Sequence, residues 1–121
     1  MTPATLVSLI IQSTPGEARV HDRLEYFARL AEAAPGEARA RFGYAHELYK
    51  AGRWEDAAQE FRAYLDLAED EGNAWGRLGE CLAQLGRADE AADAYLRGID
   101  QALKFGHTGM ADDLRAAVER L

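Results

Sequence analysis

The chain has 121 residues, 48% hydrophobic and 29% charged, with a formal net charge of -7. That length suits one domain able to bury a core without staples, and the negative field disfavours phosphate backbones and acidic membrane surfaces, so neither nucleic acid nor membrane insertion is expected. The single cysteine, Cys81, excludes an internal disulfide and a cysteine-based zinc site, and its apolar neighbours mark it as a small core residue.

Thr2-Pro3 opens a first helix over about residues 3 to 13. Leu6, Val7, Leu9, Ile10 and Ile11 spread over about 200° at 100° per residue, wider than one core-facing stripe needs. Something must cover that arc: the following helix, a partner helix, or a second copy through a two-fold contact. The β-branched run could also pair as a strand. It lacks a basic head and a small-residue cleavage site, so no export signal is read and the cytoplasm is the expected location. Nothing in the sequence approaches the roughly 20 apolar residues of a membrane span.

Thr14-Pro15-Gly16-Glu17 has the capping-box spacing and starts a helix over about 16 to 33. Ala34-Pro35-Gly36-Glu37 repeats that start without a capping side chain, and the spacing predicts a helix over about 36 to 50. Further helices follow at about 54 to 68, 71 to 84, 88 to 104 and 108 to 120, seven in all. Gly52, Gly86 and Gly106 sit just past helix ends, where a left-handed residue is wanted. The short linkers make successive helices antiparallel neighbours.

The chain repeats itself every 34 residues. Gly52, Arg53, Ala57, Ala58, Phe61 and Leu65 return as Gly86, Arg87, Ala91, Ala92, Tyr95 and Ile99, and Ala40, Leu48 and Asp66 return as Ala74, Leu82 and Asp100. The run Trp75, Leu78, Gly79, Leu82, Gly86, Ala91, Tyr95 resembles the tetratricopeptide repeat pattern. The resemblance implies an all-α, right-handed superhelix of antiparallel helix pairs: a divergent repeat over 4–37, repeats over 38–71 and 72–105, and a C-terminal capping helix over 106–121. The capping helix carries Met110, Leu114, Ala117 and Leu121 on one stripe and charges elsewhere, as the end of a repeat stack requires. Several positions depart from the family pattern: Ile11, Arg23 and Glu47 stand where small residues are usual, Arg41 where Trp is frequent, and Tyr64 where Ala is.

In such stacks the first helix of each repeat lines a concave groove. The resemblance therefore places there Arg39, Phe42, His46, Tyr49 and Lys50, then Asn73, Arg77, Glu80 and Gln84. That set suits a peptide, with aromatic anchors, cations for carboxylates and amides for backbone groups. Gly43 and Gly76 are expected to leave room for a ligand backbone. The plainer alternative is that Phe42 and Tyr49 pack on a neighbouring helix and the charges are solvated. An intact carboxylate clamp, known in some members of the family, is rejected, because of its positions (Ser8, Gln12, Gly43, Asn73 and Arg77) only Arg77 matches.

No catalytic residue, metal site or cofactor is expected. His21, His46 and His107 lack partners at helical spacing, the acidic runs Asp66 to Glu71 and Asp89 to Asp93 lack calcium-loop spacing and read as solvated faces and helix starts, and no phosphate-binding loop is present. The expected function is that of a protein-interaction adaptor or scaffold, not an enzyme, holding a peptide or partner segment in the groove. The alternative is a self-assembling module that dimerises through the apolar N-terminal helix. Because the recurring alanines let helices approach, Ala57→Leu or Ala91→Leu should cost about 1 to 3 kcal/mol, measured by thermal unfolding; a midpoint equal to wild type would refute the 34-residue frame.

Overall fold

The computed structural model describes residues 15–121, which form six helices. They are α1 Pro15–Ala33, α2 Ala38–Lys50, α3 Trp54–Leu67, α4 Asn73–Gln84, α5 Ala88–Lys104 and α6 Thr108–Glu119. The helix expected over 3 to 13 lies outside the described residues. Each helix packs on its successor, and no strand occurs among the described residues.

Three of the turns are copies of one another. Gly52, Gly86 and Gly106 have φ of 73°, 75° and 78°. Each donates to a carbonyl three residues back (Tyr49, Ala83, Leu103), and the residue after it donates to one five back (Leu48, Leu82, Ala102). This pair of bonds satisfies carbonyls that a helix end leaves orphaned, and it needs a left-handed residue that glycine adopts without a steric cost. Arg53, Arg87 and His107, which follow, share a ψ of 69° and launch α3, α5 and α6 in the same direction relative to the preceding helix.

Two starts differ from expectation. α2 begins at Ala38 rather than 36, because Ala34-Pro35-Gly36-Glu37 closes a turn with Glu37 N–H on the Ala34 carbonyl at 3.0 Å. Proline's fixed φ serves the second position of a turn as readily as the first turn of a helix. α4 begins at Asn73 rather than 71. The Asp70 carboxylate, buried, accepts from the Gly72 and Ala74 N–H groups at 2.9 and 2.8 Å and holds the chain out of helical geometry until then. Asp70 is thus an internal brace and not part of a solvated acidic face. Gly72 has φ of 119°, and a Cβ there would lie 2.9 Å from the Gly98 carbonyl, so no other residue fits without a shift.

The core runs through the whole stack as small residues opposite large ones. Ala45, Ala57, Ala74, Ala91, Ala102 and Ala111 are wholly buried, and Phe61, Leu48, Leu82 and Cys81 are the largest side chains sealed among them. A Cβ on Gly79 would come within 2.6 Å of the Tyr95 ring, so α4 and α5 approach as closely as the absence of a side chain allows.

Two of the departures from the family pattern compensate one another, and two more find partners elsewhere in the stack. Arg23 of α1 donates to Glu47 of α2 through Nε at 3.1 Å and Nη2 at 2.7 Å, so the two charged residues standing at small positions form one forked ion pair. Lys50 adds a contact at 3.0 Å to the same carboxylate. Arg41 donates to Glu60 of α3 at 2.9 Å, and Tyr64 meets Phe42 edge-on at 5.1 Å.

Hydrogen bonding from Arg23, helped by Lys50, holds the Glu47 carboxyl at about 2, against an ordinary 4.5. A carboxyl depressed on folding stabilises the fold above its unfolded value and loses that contribution as pH falls through the folded one. Glu47→Gln should therefore melt below wild type at pH 7, and the gap should close between about pH 4.5 and 2. Thermal melts followed by circular dichroism across that range test this; a gap independent of pH would refute the role of the charge.

Candidate functional site

The face shared by α2, α4 and α6 is built from helical spacing. On α2, residues 42, 46 and 49 stand one turn apart and their rings form a row. Phe42 and His46 are stacked at 6.0 Å with 6° between planes, and His46 and Tyr49 at 6.3 Å with 16°. The row is half-buried rather than exposed. Phe42 meets Phe61 edge-on at 6.1 Å, and Tyr49 meets Trp54 at 5.7 Å and Phe61 at 6.4 Å. The inner edges of these rings pack against the core, and their outer edges remain partly open.

At the end of the row α2 is tied to α4. The Tyr49 hydroxyl donates to the Glu80 carboxylate and accepts from Arg77 Nη1 at 2.9 Å, while the Arg77 guanidinium lies 4.7 Å from the centre of the Tyr49 ring. Burial, then the Glu80 hydrogen bond, raises the pKa of the Tyr49 hydroxyl above its ordinary value, so it remains a phenol. Burial first, and then the charges of Lys50 and Arg77, hold the His46 imidazole below its ordinary range, with Glu47 pulling the other way. Its Nδ1 is buried and unpartnered among the described residues.

Two hollows open on this face. One, of about 520 Å³, lies between α4 and α6: Asn73, Arg77, Glu80 and Gln84 form one wall, Asp113, Leu114, Ala117 and Arg120 the other, and Tyr95 lies at the base. The second, of about 470 Å³, is lined by Arg39 and Phe42 of α2, Tyr64 of α3, the 68–71 loop and His107. Asn73 and Met110 line both. The nine residues assigned to the groove from sequence therefore divide. Five line a hollow outside the α2 row (Arg39, Asn73, Arg77, Glu80, Gln84), Phe42 lines one while packed on the core, and His46, Tyr49 and Lys50 line neither.

Sequence reasoning missed the α6 wall. Met110, Leu114 and Ala117 read as a closing stripe, yet Asp113 and Arg120 flank that stripe and face α4 across the hollow. The signal was present in the position of α6, which follows a turn identical to those that precede α3 and α5.

Gly76 lines the first hollow and Gly43 the second, and each also makes room for a neighbouring helix. A Cβ on Gly43 would lie 3.0 Å from the Phe27 ring of α1, and one on Gly76 2.9 Å from Leu114, so both admit a neighbouring helix. The α3–α4 loop is likewise pinned rather than loose: Gln101 donates to the Asp70 carbonyl at 2.8 Å, Lys104 pairs with Glu69, and His107 lies 3.2 Å from Glu71.

Cys81 is fully buried, and burial pushes its thiol up to about 11, which removes it as a nucleophile near neutral pH. No cluster of three His, Cys, Asp or Glu side chains able to hold a metal occurs among the described residues. None of their helices is long and apolar enough to cross a membrane. Leu6, Val7, Leu9, Ile10 and Ile11, the expected oligomer surface, lie outside the described residues.

No curated protein matches this chain. Among solved structures it is similar to PcrH, in a crystal structure of PcrH in complex with the chaperone binding region of PopD. The TM-score is 0.76 at 21% identity, over 99% of this chain and 92% of that one, which is a likeness of fold. The family profile described as tetratricopeptide repeat matches residues 24–71 and 45–103. Matched over more than half its length, the chain belongs to the tetratricopeptide repeat family.

Proposed function

We infer that this chain is a protein-interaction adaptor without catalytic activity, which holds an extended segment of a partner protein along the α2, α4 and α6 face. The observation that carries this reading is the pair of hollows meeting at Asn73 and Met110. Two adjacent recesses suit successive side chains of an extended peptide, and Asn73 and Gln84 beside them offer donors and acceptors for its backbone. Arg39 and Arg120 have no ion-pair partner among the described residues and are the cations open to carboxylates; Arg77 is shared with Tyr49 and Glu80. The PcrH structure supports the reading, since a chain of this fold there holds a region of another protein.

The repeat frame over 38–71 and 72–105, with a divergent copy at 4–37 and a cap from 106, is part of this proposal, as is a cytoplasmic site of action. Self-association through the N-terminal end is a second reading. It is favoured by Tyr26 and Leu30, which α1 leaves 60% and 40% exposed.

Arg39→Glu combined with Arg120→Glu tests the groove without touching the core, whereas Arg77→Glu would break the tie between α2 and α4 and truncating Tyr49 would disturb its packing on Phe61. Loss of two interfacial cations should weaken partner capture by about tenfold or more, with helicity by circular dichroism unchanged. Affinity capture from cell extract, quantified by mass spectrometry, reads the result; equal capture by wild type and variant would remove this face from consideration.

A further inference from the structure

The opposite side of the stack carries a third hollow. It lies between α3 and α5, has a volume of about 580 Å³, and is floored by Leu65, Trp75, Leu78 and Leu82. On α4, residues 75, 78 and 82 point to the side opposite 73, 77, 80 and 84 at about 100° per residue, so one helix walls a groove on one face and floors another on the reverse. Leu78 and Leu82 are core residues, 3% and 1% exposed, which gives the hollow a fixed base. Trp75 and Leu65 are half-buried and present apolar surface to solvent.

The rim states the chemistry of the occupant. It consists of Arg62, Asp66, Asp89, Glu90, Asp93 and Arg97, an excess of two negative charges. Both arginines are already engaged: Arg62 lies 3.7 Å from Glu90, and Arg97 lies 3.2 Å from Asp93 while its guanidinium sits 5.4 Å from the centre of the Trp75 ring. Asp66 on α3 and Asp89 on α5 have no ion-pair partner among the described residues, so an unpaired carboxylate stands on each wall above the apolar floor. The formal charge of -7 on the chain adds a field of the same sign.

We propose that this hollow is a second docking surface, for a segment of a partner protein that seats an apolar side chain between α3 and α5 and brings lysine or arginine on either side of it to Asp66 and Asp89. The apolar floor supplies contact area, and the two carboxylates select sign and register. It is independent of the α2, α4 and α6 face.

The probe is a random 12-residue peptide library displayed on phage and selected against the immobilised full chain. Enriched peptides are then synthesised and titrated into the Trp54→Phe variant, in which Trp75 is the remaining tryptophan of the two in the sequence. The expected peptides carry an apolar residue between basic ones and shift Trp75 emission. They should bind about fivefold to tenfold more weakly to Asp66→Asn with Asp89→Asn, as loss of two rim charges implies, weaken in added salt, and bind Arg39→Glu with Arg120→Glu as they bind wild type. Calorimetry on the wild-type chain and the aspartate variant repeats the comparison without the Trp54 substitution. Selection of no peptide, selection of peptides without basic residues, unchanged Trp75 emission, or equal affinity for the aspartate variant would each overturn the proposal.

Discussion

The distance between helices in this stack is set by missing side chains. Gly79 lies against the Tyr95 ring where a single Cβ would come within 2.6 Å, Gly76 and Gly98 both receive Leu114, and Gly43 receives Phe27. These contacts join α1 to α2, α4 to α5, and α6 to both α4 and α5. Close packing at interior density leaves no slack for an added carbon, so the spacing of α4, α5 and α6 around the first hollow follows from where a glycine permits an aromatic or leucine to enter. That hollow is therefore a property of the core as much as of the surface residues that line it.

Polar contacts then fix what packing alone would leave free. The Arg23–Glu47 fork sets α1 on α2, and the Tyr49, Glu80 and Arg77 cluster sets α2 on α4. Asp70, with Gln101 on its carbonyl, sets the entry to α4 against the end of α5. Each joins elements adjacent in the stack, and each involves at least one group shielded from water, where such bonds are stronger than on an open surface. The exposed pairs, such as Arg87 with Glu55, add little by comparison.

What could be read from the sequence is what is encoded locally. A glycine just past an apolar stripe specifies its own turn, so Gly52, Gly86 and Gly106 were legible, as were the alanines at positions 57 and 91, both found wholly buried. Pro35 was ambiguous because the same φ suits a turn and a helix start. The role of Gly43 and Gly76 was not legible, since a small residue makes room equally for a ligand and for a neighbouring helix. Nor was the depth of the Phe42, His46, Tyr49 row, which depends on Phe61 and Trp54 of the following helix. The pairing of Arg23 with Glu47 spans 24 residues, and only the fold reveals that two apparent departures are one interaction. The α6 wall escaped because a stripe that closes a core and a flank that borders a groove occupy the same turn of helix.

α4 is the element with two outward roles: Arg77 and Glu80 on one side, Trp75 with Leu78 beneath it on the other. A rigid helix cannot move one side without the other. Its own place is fixed from within, by Ala74, Leu78, Cys81 and Leu82 sealed in the core, so the helix holds a recess open on each side and exposed side chains can change on one side while the other keeps its shape.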